Sequence, residues 1–176
     1  THSACKQQTQ SETVAHLFQE CPLAQQLLDH WFAAWHTATG EKLLPTCTRT
    51  VLFGDRQPTT DGFNPELEEP YRVIQSTLMH LLWKARCQRA HPNTRRGKHL
   101  ASTTAAIMQE MRTSIQQQLA ARYADAIETR TLATFNCGWI RTGIARMVHG
   151  KPIFQLLDRR TFYPPSGSAE HHWYVD

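Results

Sequence analysis

Four residues near the start of the chain have the types and spacing of a metal site: His2-x2-Cys5-x10-His16-x4-Cys21. Structural zinc is held by four nitrogen or sulfur donors in a tetrahedron, and imidazole and thiolate are its usual ligands. Here two donor pairs bracket one short segment, so a loop and a single helical turn can supply all four ligands. The second pair lies within Ser11-Glu12-Thr13-Val14-Ala15-His16-Leu17-Phe18-Gln19-Glu20-Cys21-Pro22. Taken singly, His16 or Cys21 reads as a helix-face residue in a core, with cysteine acting as a small hydrophobe. The compact set of four is what points to a metal.

The second candidate chemistry is electrostatic. Arg86 and Arg89 stand near the end of a predicted helix, and Arg95, Arg96 and Lys98 follow in the turn Thr94-Arg95-Arg96-Gly97-Lys98-His99. Nucleic-acid phosphates are bound where several cations converge on one groove. The same residues also fit a plainer role, since cations suit the C-terminus of a helix and a polar turn is solvated. Arg141, Arg146, Lys151, Arg159 and Arg160 form a second, more diffuse group, read as solvated surface. Trp31, Trp35 and Trp83 lie on or beside apolar stripes and read as core rather than as base-stacking platforms. Cys47, Cys87 and Cys137 lack partner spacing and read as buried thiols.

Signs of catalysis are missing from the sequence. There is no Gly-x-Ser-x-Gly elbow. There is no phosphate-cradling Gly-Lys-Ser/Thr loop either, because Gly97-Lys98 is followed by His99, and His-Glu-x-x-His does not occur. Glu68-Glu69 falls at a helix start, where carboxylates complement the dipole. The expectation is a protein that is not an enzyme and takes no small-molecule substrate.

Helices must position these groups. Leu23, Leu27, Leu28, Trp31 and Trp35 recur at helical spacing between Pro22, suited to a first helical position, and Gly40, a natural stop. Val73 or Ile74, Leu78, Leu81, Leu82 and Ala85 make one stripe of a helix from Glu66 to about Ala90. Leu100, Thr104, Ile107, Met108, Met111, Ile115, Leu119, Arg122 and Tyr123 line another, which runs to about Glu128. Two long helices joined by a turn pack as an antiparallel hairpin. A short helix is expected over Trp139 to Val148, and Lys151 to Leu156 reads as extended or as a brief turn. The chain thus divides into 1–40, a zinc-knuckle-like segment with its Trp-bearing helix; 41–65, a loop-rich connection; 66–157, the helical hairpin with short C-terminal elements; and 158–176, an irregular tail. The fold class is mainly α, with the small knuckle packed on the long-helix hairpin and little or no β.

The 176 residues are 40% apolar, enough for a core, and 19 basic against 15 acidic residues leave a net charge of +4. That excess permits nucleic-acid contact without demanding it. No apolar run approaches the roughly 20 residues of a membrane helix. Five cysteines cannot all pair within the chain. A reducing compartment with one metal site suits them better than a secreted disulfide scaffold, so an intracellular location, cytoplasmic or nuclear, is expected. Residue 1 is Thr and no signal-like segment follows it, which fits either a removed signal or a piece of a longer polypeptide.

These residues carry a resemblance. Glu12-Thr13-x-x-His16-Leu17-Phe18-x-Glu20-Cys21-Pro22-x-Ala24, followed by a Trp-bearing helix, resembles the zinc-binding segment downstream of the reverse transcriptase domain in non-LTR retrotransposon polyproteins. Leu81-Leu82-Trp83-Lys84-Ala85-Arg86-Cys87-Gln88-Arg89 is similar to the "IWkaRN" helix that follows it there, and Trp139 with Gly150-Lys151 also fits. The likeness covers residues 2 to 155 as an ordered series, sharpest in the first motif. It implies one structural zinc on His2, Cys5, His16 and Cys21 and RNA or DNA as partner. It also implies a polymerase upstream of Thr1, whose Tyr-x-Asp-Asp type of motif is absent here. The family usually opens with Cys-x2-Cys and a somewhat shorter gap to the histidine; here the first donor is His2 and the gap is ten residues. Histidine is a sound zinc donor, so a working site and a metal-free remnant both stay open. The alternative function is a protein-interaction module, a host-recruited or effector-like retroelement fragment with a degenerate or absent zinc site.

Overall fold

A computed structural model of the chain describes residues 13–14, 16–41, 64–90 and 103–156. The architecture is mainly helical: α1 (Pro22–Thr39), α2 (Glu68–Ala90), α3 (Thr104–Glu128) and the short α4 (Leu132–Phe135), with a two-stranded antiparallel sheet of β1 (Ala145–Val148) and β2 (Lys151–Phe154). A π-helical turn, His16–Glu20, precedes α1, and a second, Asn136–Arg141, continues α4.

The helix ends follow from local chemistry. Pro22 occupies the first turn of α1, where the amide hydrogen it lacks has no partner to lose. Gly40 closes the helix in the left-handed region at φ 76°, its N–H donating to His36 O at 2.8 Å, a conformation that costs glycine little. Asn64-Pro65, which reads as loop punctuation in the sequence, in fact starts helical structure. The Asn64 side chain accepts the Glu66 N–H at 3.0 Å and caps a 3-10 turn, Pro65–Leu67, that leads into α2. Thr103 caps α3 by accepting the Ala106 N–H at 3.2 Å. Leu100 and the turn 94–99 lie outside the described residues.

Helices α2 and α3 are antiparallel, as three cross-helix pairs require: Glu69 with Arg122, Thr77 with Gln118 and Lys84 with Glu110. Thr77 is buried, and its hydroxyl is satisfied on both sides, donating to Val73 O at 2.7 Å and accepting from Gln118 Nε2 at 3.0 Å. That arrangement avoids the penalty of an unpaired buried hydroxyl. Helix α1 runs opposite to α2. Gln26 meets Thr104 at the start of α3, while Trp31 and Trp35 pack on Tyr71 near the start of α2, with ring centroids 5.5 and 5.7 Å away. One core results, in which Leu27, Trp35, Ile74, Leu78, Met111, Ile115 and Leu119 are fully enclosed.

Three expectations fail. No helix spans Trp139 to Val148. The π turn ends at Arg141, Gly143 reverses the chain at φ 77°, and β1 begins at Ala145. His149 and Gly150 then adopt φ 48° and 73°, the two positive values of the I′ turn that joins strands in a two-residue hairpin. The second failure is Trp83, which is 54% exposed, whereas Trp31, Trp35 and Trp139 are enclosed. Cys87 and Cys137 are half-buried rather than buried, and Cys47 lies outside the described residues.

The hairpin is tied to α3 by one side chain. Register pairs Val148 with Lys151 and Arg146 with Ile153, and Gln155 N–H donates to Ile144 O at 3.1 Å, so Pro152 and Phe154 turn their backbone groups away from β1. Gln116 meets both, its Nε2 donating to Pro152 O at 2.9 Å and its Oε1 accepting from Phe154 N–H at 2.8 Å. Replacing Gln116 by Ala should lower the free energy of unfolding by about 1–3 kcal/mol, since a partly buried donor and acceptor lose their partner; denaturant titration measures the loss, and amide exchange at Phe154 should speed up.

A second close approach lies at Gly138. A methyl group there would stand 2.7 Å from Glu66 O and 3.6 Å from the Pro70 side chain, so the π turn reaches the start of α2 only without a Cβ. Gly138→Ala should destabilise by about 1–3 kcal/mol through overpacking, seen as a lower denaturation midpoint at unchanged slope.

Candidate metal and nucleic-acid site

The segment carrying His16 and Cys21 is built from the residues that surround them. Thr13 opens the turn: its hydroxyl accepts the His16 N–H at 3.0 Å and its carbonyl accepts the Leu17 N–H at 3.0 Å. Leu17 is buried and anchors the turn, which lies against α1 and α2. The next bond gives the segment its geometry. Cys21 N–H donates to His16 O at 2.7 Å, an i+5 to i bond. In an α-helix, at about 100° per residue, a position five residues on points about 140° away. The extra residue in the π turn brings the Cys21 backbone N–H to the His16 carbonyl.

Cys21 then changes conformation. Its backbone is extended (φ −64°, ψ 127°), it stands at the N-cap of α1, and its carbonyl accepts the Gln25 N–H at 2.9 Å. Its side chain makes no capping bond and is 5% exposed, within the core cluster. The His16 ring is partly exposed, and its Nδ1 stands 3.8 Å from the Glu20 carboxylate, four residues on. A carboxylate behind one ring nitrogen is the usual partner of a metal-bound histidine, fixing its tautomer and orientation. Two of the four candidate donors thus lie on one short segment joined through its backbone, with a carboxylate beside the histidine.

The other donors, His2 and Cys5, lie outside the described residues. Among the described residues no three His, Cys, Asp or Glu side chains gather as a metal group. Cys21, Cys87 and Cys137 are not joined to one another. Of the predicted phosphate-binding residues, Arg86 is partly buried on α2 and Arg89 falls on the last turn of that helix, while Arg95, Arg96 and Lys98 lie outside the described residues. No helix among the described residues is long and apolar enough to cross a membrane.

Reading the sequence for metal donors gives no role to Thr13, whose hydroxyl accepts the His16 N–H, or to Glu20, whose carboxylate stands 3.8 Å from the His16 ring. A signal for both was present. Thr three residues before His16 has the spacing of a helix cap, and Glu20 is at the i,i+4 distance where side chains meet.

Comparison of the chain with protein-family models, with curated proteins and with solved structures yields no match.

Thr13→Ala removes the acceptor of the His16 amide. The change should cost about 1 kcal/mol of stability, typical of a lost cap, and amide exchange at His16 and Leu17 should rise while α3 is unaffected.

Proposed function

We propose that the chain is a non-catalytic nucleic-acid-binding module with one structural zinc, similar to the region downstream of the reverse transcriptase domain in non-LTR retrotransposon polyproteins. The observation that carries this reading is the bond from Cys21 N–H to His16 O, which gives the His-x4-Cys spacing a structural meaning. Five residues apart is a poor spacing for two ligands on an α-helix and a good one across a π turn. The donor chemistry fits zinc: a cysteine sulfur shielded from water and an imidazole with a carboxylate beside it.

In this reading His2, Cys5, His16 and Cys21 hold the ion. Bound zinc would tie the N-terminal residues to the head of α1 and contribute binding free energy to folding. Glu20 faces Nδ1 of His16, which leaves Nε2 as the ring nitrogen for the metal. The basic residues Arg86, Arg89, Arg95, Arg96 and Lys98 supply phosphate contacts on RNA or DNA, in an intracellular setting.

A protein-interaction module is the second reading, and Trp83 favours it. An indole more than half exposed on a helix is a large apolar surface left to water, and tryptophan is enriched at the centres of protein interfaces. Capture of a partner that survives nuclease treatment and is lost in Trp83→Ala would support this reading over the first.

Metal content decides whether the leading reading stands. The chain purified without added metal should hold about one zinc, released by chelator with loss of ordered structure in the segment 13–21. His16→Ala and Cys21→Ala should each abolish retention. A metal-free chain that keeps its full fold in chelator would sink the zinc reading.

A further inference from the structure

The stretch 129–156 contains four basic residues, Arg130, Arg141, Arg146 and Lys151, and no acidic one. The whole chain has 19 basic and 15 acidic residues, so fifteen of each remain elsewhere and the entire net charge of +4 resides in this stretch. All four cations are exposed, and none is in an ion pair with a carboxylate among the described residues. Among the described residues of the helices, by contrast, Arg72 pairs with Glu68, Lys84 with Glu110 and Arg122 with Glu69.

Strand register sorts these residues by face. Side chains alternate along a strand, and Ala145, Pro152 and Phe154 are buried toward the core. The opposite face therefore carries Arg146 and Val148 on β1 and Lys151 and Ile153 on β2, with Arg146 beside Ile153 and Val148 beside Lys151. Arg146 and Lys151 are diagonal neighbours, about 7–8 Å apart at the backbone. Exposed His149 stands at the tip. Gln116 holds the ribbon against α3, so the two cations are presented on a fixed element rather than on a loop.

We propose that the outer face of the β1–β2 hairpin, through Arg146 and Lys151, is a phosphate-contacting surface for nucleic acid. The proposal rests on the nucleic-acid reading above for its partner and adds residues other than those of the turn 94–99. Two exposed cations with no ion pair among the described residues favour a polyanion, and a two-stranded ribbon has the width that a duplex groove admits. The half-buried Val148 and Ile153 give the cations an apolar floor, where water screens a phosphate contact less than it does over open surface.

The test uses the full chain with a labelled single-stranded RNA, a DNA duplex of the same sequence and phosphatidylserine vesicles, each titrated over a range of salt. R146Q/K151Q should weaken nucleic-acid binding by roughly tenfold at low salt, and should reduce the slope of log affinity against log salt by about two contacts' worth, each near 0.9 on duplex DNA. R146E/K151E should weaken it further, and R146K should retain it. Because both side chains are exposed, the unfolding midpoint of each variant should match wild type, which separates lost contact from lost fold. If the wild-type chain binds neither RNA nor DNA, the nucleic-acid reading fails, and the hairpin proposal with it. If it binds and R95A/R96A weakens it while R146E/K151E changes neither affinity nor slope, the hairpin proposal alone is overturned. Tighter binding to the vesicles than to either nucleic acid would overturn the partner.

Discussion

Enclosure of three indole rings sets the arrangement of the helices. Trp31, Trp35 and Trp139 are buried, and among the described residues their Nε1 atoms have no hydrogen-bond partner. Unmade bonds of this kind cost about 1–3 kcal/mol each. A ring of this size removes about 200 Å² from water, and at about 25 cal/mol per Å² that stabilises the fold by about 5 kcal/mol. Burial wins, by a margin that leaves the indole N–H groups tolerable. The consequence is spatial. Trp31 and Trp35 must reach Tyr71, which brings α1 onto α2. Trp139 stacks on Phe135, 6.4 Å away between centroids, and Phe135 meets Tyr123 of α3 at 5.3 Å. The end of the helical hairpin where the start of α2 meets the end of α3 is thereby clamped by aromatic contacts made from other parts of the chain.

That core also explains why the turn before α1 is a π turn. Leu17, Cys21, Leu23 and Ala24 are all buried, yet an α-helix continued through Pro22 would break at the proline's missing N–H. The chain inserts one residue, satisfies His16 O with Cys21 N–H, and restarts as α1 from an extended cysteine. The same device appears where α4 passes into residues 136–141 and brings Gly138 against Glu66 O. In both places an added residue reconciles two packing directions that a regular helix could not serve together.

Much of the helical frame was legible in the residues. Pro22 and Gly40 mark the limits of α1, and the stripe from Ile107 to Leu119 identifies the buried side of α3, because proline, glycine and apolar period act locally. The hairpin was not legible. Its turn is His149-Gly150 rather than the Asn-Gly or Asp-Gly that marks an I′ turn, so the apolar residues from Trp139 to Val148 imitated one helix. Misreading that segment hid more than the strands. On a helix Arg141 and Arg146 are members of a diffuse set, whereas on paired strands Arg146 and Lys151 share a face. Trp83 was misplaced for a different reason: its neighbours Leu82 and Ala85 define the stripe, and a position beside a stripe does not say how far the partner helix reaches. At the candidate metal site, residue types identified His16 and Cys21 as a pair, but the i+5 bond that joins them has no sequence signature of its own.

Gln116 has one more consequence. A sheet of two short strands ordinarily offers neighbours a free row of amides and carbonyls on each side, and such rows recruit strands from other molecules. With its amide occupying the outer groups of Pro152 and Phe154, Gln116 stands in for a third strand that needs no backbone. A foreign strand approaching β2 must first displace a side chain anchored on a 25-residue helix, so the hairpin resists growth into an extended aggregate from that side.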